Sequence, residues 1–86
     1  MRTFPYDDGF TAGCETRKLA RYARELLVEA ETNLKIIPIN QEARMALRDR
    51  AILDRRLAIG KLREARQIMR TMIEQPGFKD GWRSAA

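Results

Sequence analysis

The stretch "KIIPINQEA", Lys35 to Ala43, decides the fold. Ile37 precedes Pro38, and a proline pushes the residue before it out of the helical region, so a helix arriving from upstream ends near Ile36. Asn40 then offers a side-chain oxygen to the first amides of a new helix, and Glu42 suits the positive end of its dipole. A break of about four residues between two long helical patterns makes them antiparallel neighbours.

Upstream of the break, Leu19, Ala20, Tyr22, Ala23, Leu26, Leu27, Ala30 and Leu34 recur at spacings of three and four, with Arg17, Lys18, Arg21, Arg24, Glu25, Glu31 and Lys35 opposite. This predicts a helix over about 15–36, roughly 31 Å long. Downstream, a helix over about 40–75, roughly 50 Å long, meets no obstacle but Gly60 until "QPG", Gln75 to Gly77, stops it. Glu25, Glu29 and Glu31 are expected near Arg44, Arg48 and Arg50, which bears on register more than on stability.

The expected fold is therefore all-α: one antiparallel helical hairpin in a single domain, 1–86. Residues 1–14 and 76–86 are expected as non-helical tails. These hold five of the six aromatics: Phe4, Tyr6, Phe10, Phe78 and Trp82. The unequal helix lengths predict that the second helix overhangs beyond Gly60. The larger apolar residues change sides at the same point. Met45, Ile52, Leu53, Leu57 and Ile59 form one face; Leu62, Ala65, Ile68, Met69, Met72 and Ile73 form another, turned away. A straight helix drifts only about 20° per heptad against a coiled-coil seam, so two different neighbours are expected. The second neighbour is expected to be another copy of the chain, forming a four-helix bundle sealed by the tails; the alternative is the chain's own tails, with Phe4, Tyr6 and Phe10 laid along the overhang and Phe78 and Trp82 folded back beside it. Gly60 is expected to allow a close helix approach within a continuous helix.

A chain of 86 residues with net charge +5 and pI near 10.0 favours anionic partners: an acidic protein face, nucleic acid or an anionic surface. Most of the positive charge is arginine, which grips carboxylates and phosphates with two parallel hydrogen bonds. Arg44, Arg48, Arg55, Arg56, Arg63, Arg66 and Arg70 fall on about a third of the helical wheel, along roughly 39 Å. Met45, Ile52, Ile59 and Leu62 interleave with them, so arginine stems are expected to cover apolar side chains. No helix-turn-helix pattern or stacking aromatics accompany the stripe.

With one cysteine, Cys14, and no histidine, an intrachain disulfide, most zinc sites and histidine-based acid–base catalysis are excluded. Asp7 and Asp8 lack the spacing of a calcium loop and read as a solvated turn. No apolar run approaches a membrane span, and "MRTFPYDDGF" lacks an export-signal core, so a cytoplasmic location, in its own cell or a host's, is expected. "RDRAILDRRLAIGKL", Arg48 to Leu62, is similar to the first long helix of the helical chorismate mutases, which bind dicarboxylates between arginines. The order of elements departs from theirs: a full amphipathic helix precedes the segment, and no second Arg/Lys/Glu constellation follows. The enzyme reading is set aside, with no catalytic residue, cofactor, metal or small-molecule substrate expected. The sequence points instead to a small regulator, adaptor or inhibitor of a protein partner with an acidic surface. Its candidate surfaces are the arginine stripe and the apolar set Leu62, Ala65, Ile68, Met69, Met72, Ile73, Phe78 and Trp82. The alternative is a nucleic-acid-binding accessory protein.

Overall fold

A computed structural model describes residues 8–86; Phe4 and Tyr6 lie outside this range. It consists of α1 (Gly9–Lys35), α2 (Gln41–Met72) and α3 (Phe78–Ser84), with no strand among the described residues. The hairpin turn is built as its sequence dictates. Asn40 caps α2, its side-chain oxygen accepting from the Ala43 amide at 2.8 Å, and Ile36 leaves α1 in an extended conformation. Glu29 and Arg50 pair across the helices at 3.4 Å. This is the one cross-helix ion pair among the described residues drawn from the six expected partners.

The expected start of the first helix, about residue 15, is corrected to Gly9. Asp8 caps α1, its carboxylate accepting from the Thr11 amide at 2.6 Å, and the helix runs from Gly9. Two glycines in "GFTAG", Gly9 to Gly13, argue against helix on propensity alone, and tertiary contact overrides that preference. The second expected tail is also corrected, since Phe78–Ser84 is helical. With α1 starting at Gly9, most of the overhang disappears: Ala12 packs against Ile68 and Met72 near the end of α2.

The expected change of face at Gly60 is corrected too. The buried residues of α2 are Ala51, Asp54, Ala58, Ala65, Ile68 and Met72, separated by three, four or seven. They form one heptad seam that passes Gly60 without a shift. On α1, Thr16, Ala23, Leu26 and Ala30 continue the same spacing. Small side chains at every seventh position let the two backbones lie close. Gly60 faces away from the seam, and a Cβ there would meet nothing within 4 Å, so close packing is not why it is glycine. The three helices together form a slab of 54 × 26 × 14 Å.

α3 closes the open end of the slab. Gly77 takes a left-handed conformation (φ 87°) and reverses the chain after α2. The short helix then crosses α1 backbone to backbone. A Cβ on Gly13 would overlap the carbonyl of Phe78, and one on Gly81 would overlap the carbonyl of Phe10. The contact is reciprocal because its halves are sequence repeats, "GFTAG" at 9–13 and "GFKDG" at 77–81. Phe78 is driven into the core beside Ala12, Ile68 and Met72, a burial that contributes about 1.5–3 kcal/mol. The Cys14 thiol donates to the Gly81 carbonyl at 3.2 Å, and the Arg17 guanidinium lies 4.8 Å from the centre of the Trp82 ring.

Candidate docking face

Because alanines take much of the seam, with Leu26, Ile68 and Met72 as its larger members, many of the larger apolar side chains lie outside it. Met45 is 56% exposed, Ile59 49%, Leu34 47% and Leu62 42%. Heptad spacing sorts most of them to one side, while Tyr22 (45% exposed), Leu53 (53%) and Leu57 (43%) fall on the opposite side. Ala20, Leu27 and Leu34 form one line along α1; Arg48, Arg55, Leu62 and Met69 form the facing line along α2. Beyond it run Met45, Ile52, Ile59, Arg66 and Ile73. Two grooves show that these lines share a face. Near the turn, Leu34, Leu47 and Arg48 line a groove of about 500 Å³. At the far end, Ala20, Leu62, Met69, Ile73 and Trp82 line one of about 530 Å³. This side is called the front.

The candidate apolar surface is thereby divided. Leu62 and Ile73 are exposed, and Met69 and Trp82 half-buried, all on the front. Ala65, Ile68, Met72 and Phe78 are buried inside the chain and offer a partner nothing. The arginine stripe is divided as well. Arg48, Arg55 and Arg66 lie on the front, with Arg44 lining the groove near the turn. Arg56, Arg63 and Arg70 recur every seven residues along the outer edge, about 10.5 Å apart. All seven are exposed.

The charges are segregated. On the front lines stand Arg17, Arg24, Arg48, Arg55 and Arg66, with Glu31 as the single acid. None of these five arginines pairs with a carboxylate among the described residues. On the reverse lines stand Glu15, Glu25, Glu29 and Glu64, with Lys18 and Arg50 between them. Lys18 pairs with Glu15 at 3.5 Å and Arg50 with Glu29 at 3.4 Å. These reverse-side acids thus stand away from the front, while Glu42 and Asp49 continue the outer-edge line of Arg56, Arg63 and Arg70.

One carboxylate lies in the seam itself. Asp54 is 2% exposed; its Oδ1 is 3.5 Å from Arg50 Nε, and its Oδ2 has no hydrogen-bond partner. Its neighbours in sequence along the seam are alanines, and nothing around it makes acid–base chemistry. Thr16, the other buried polar side chain, donates to the Ala12 carbonyl at 2.7 Å and is satisfied within its own helix. Among the described residues, no group of acids and cysteines converges as metal ligands do, and no helix is long and apolar enough to cross a membrane.

Comparison with known protein families, with curated proteins and with solved structures finds no match. Two signals of this architecture stand in the sequence: Ala51, Ala58 and Ala65 at strict heptad spacing, and the repeated pentad GFxxG. Large residues draw the eye to the front face, whereas the small ones mark the core.

Proposed function

We propose that this chain is a small non-enzymatic binding protein, a regulator, adaptor or inhibitor that engages a protein partner through its front face. The carrying observation is the concentration of exposed Leu27, Leu34, Ile52, Ile59 and Leu62 beside arginines that pair with no carboxylate among the described residues. A contiguous apolar patch on one side of a small soluble domain marks an interaction site. Arginine and large apolar side chains together are the composition of interface hot spots. The reading requires no cofactor, metal or small-molecule substrate, and it belongs in a cytoplasm, the cell's own or a host's.

A homodimer into a four-helix bundle would use the same face. A second copy set front to front places one arginine-rich surface on another, and this weighs against it beside a partner of opposite charge. The test is a pull-down with the tagged full chain from its cell of origin. Leu62→Asp on the front is expected to lose the partner, and Leu53→Asp on the reverse to keep it. Retention by both variants would move the site elsewhere.

The outer-edge line of Arg56, Arg63 and Arg70 supports nucleic-acid binding as the second reading. Neutralising phosphates makes log affinity fall with log salt by about 0.9 per phosphate contacted on duplex DNA. Absence of duplex or single-strand binding at low salt ends that reading.

A further inference from the structure

We infer that the occupant of the front groove is an acidic amphipathic helix of another protein, laid along α1 and α2 between the hairpin turn and Trp82. The inference rests on the protein-binding reading above and names the chemistry of the partner. Helices seat in grooves between helices through anchors at spacings of three, four and seven. A helix already occupies one end of the front groove: α3 crosses α1 there, and Trp82 lines the apolar groove with Leu62 and Met69. From Trp82 toward the turn the floor changes character. Ala20, Leu62 and Met69 give way to Leu27, Leu34, Arg48 and Arg55. Arg55 is one heptad from Leu62 and Arg48 two, about 10.5 and 21 Å along the axis. A complementary helix therefore carries a large apolar anchor near Trp82 and carboxylates two to four turns further on.

Charge selects this occupant over the others. A second copy front to front supplies Glu31 alone against Arg17, Arg24, Arg48, Arg55 and Arg66. A second copy stacked front to back supplies acids, but Glu15 and Glu29 are already paired there with Lys18 and Arg50. Such a heterologous contact would also propagate as an open stack. A nucleic acid or an anionic membrane meets the arginines and leaves Leu27, Ile52 and Ile59 against phosphates.

The test replaces Ile59, on the front, with the photoreactive residue p-benzoylphenylalanine in the full chain expressed in its cell of origin, with Leu53 on the reverse as control. Adducts are sequenced by mass spectrometry. The expected adduct from Ile59 is a segment of another protein with helical apolar spacing and an excess of Asp and Glu. It is expected to fall at least tenfold in the Arg48→Glu/Arg55→Glu variant, whose thermal melt serves as the folding control. Adducts to the same chain, accompanied by a dimer or a ladder in sedimentation, overturn the inference; so do adducts to nucleic acid, adducts to a neutral or basic segment, and the absence of any adduct. Where the pull-down yields a partner but the adducts map to a segment without acids, this inference fails and the protein-binding reading stands. Where neither yields a partner, both fall.

Discussion

The backbone carbonyl of Phe10 occupies the space that a β-carbon on Gly81 would need, and the carbonyl of Phe78 stands in the same relation to Gly13. Both obstacles are backbone inside helices, so neither can swing aside. Gly81→Ala is expected to destabilise the chain by about 1–3 kcal/mol, the cost of overpacking a close contact. For a domain of this size, each kcal/mol lowers Tm by roughly 4–8 °C. Gly13→Ala is expected to do the same, and the double variant to lose less than the sum, since either substitution lifts α3 from α1. Thermal melts of the three variants check this.

Gly60 is expected to behave in the opposite way. It lies in mid-helix, exposed, with open space where a Cβ would go. Gly60→Ala is expected to stabilise by up to about 1 kcal/mol, the difference in helix propensity. Ala58→Leu, two residues away and fully buried in the seam, is expected to destabilise by about 1–3 kcal/mol. A melt showing Gly60→Ala less stable than the parent would mean that the glycine is required.

Asp54 holds a desolvated oxygen with no partner. Removing a half-satisfied buried carboxylate takes away that penalty, and Arg50 keeps Glu29 at 3.4 Å. Asp54→Ala is expected to leave stability within about 1 kcal/mol of the parent, or to raise it. A loss of about 3 kcal/mol in a urea titration would show the Arg50 contact to be net stabilising.

Asp8 gives the first turn of α1 a pH dependence. The Thr11 amide, followed by the Thr11 side chain, holds its carboxyl below the ordinary value of 3.8. A group whose folded pKa is depressed stabilises above its unfolded value and loses that contribution as pH falls through the folded one. The cap is therefore expected to be intact above pH 3.8 and to loosen below it, read as faster exchange of the Thr11 amide. Asp8→Asn keeps a capping oxygen without the titration, so its first turn is expected to show no such acid response.

The hairpin was legible in the sequence because its signals are local. Pro38 and Asn40 fix the turn within five residues, and both act in the structure as their chemistry dictates. The third helix was not legible. Its seven residues, Phe78–Ser84, are too few to be stable alone and exist by contact with α1, which no local pattern encodes. The start of α1 was hidden for the same reason: Gly9 and Gly13 oppose helix locally and are required by the crossing. The seam is hard to read from the sequence because apolar size is a poor guide to burial here. Ala23, Ala30, Ala51, Ala58 and Ala65 take seam positions beside Leu26, Ile68 and Met72, and Met45, Ile52 and Ile59 stand outside. The candidate face was half legible. Its arginines and Leu62, Met69, Ile73 and Trp82 are placed on or beside it, but the segregation of acids to the reverse follows only once both helices are in register.

The crossing of α3 over α1 also changes what the turn is needed for. One half of the chain, through α1, is gripped along its seam by α2 and across its first turns by α3, both of which belong to the other half. Ile37 and Ile39 between the halves are 90% and 95% exposed. A cut at Pro38 should therefore yield two fragments that reassemble when mixed, and chains broken there could be used to report on association in living cells.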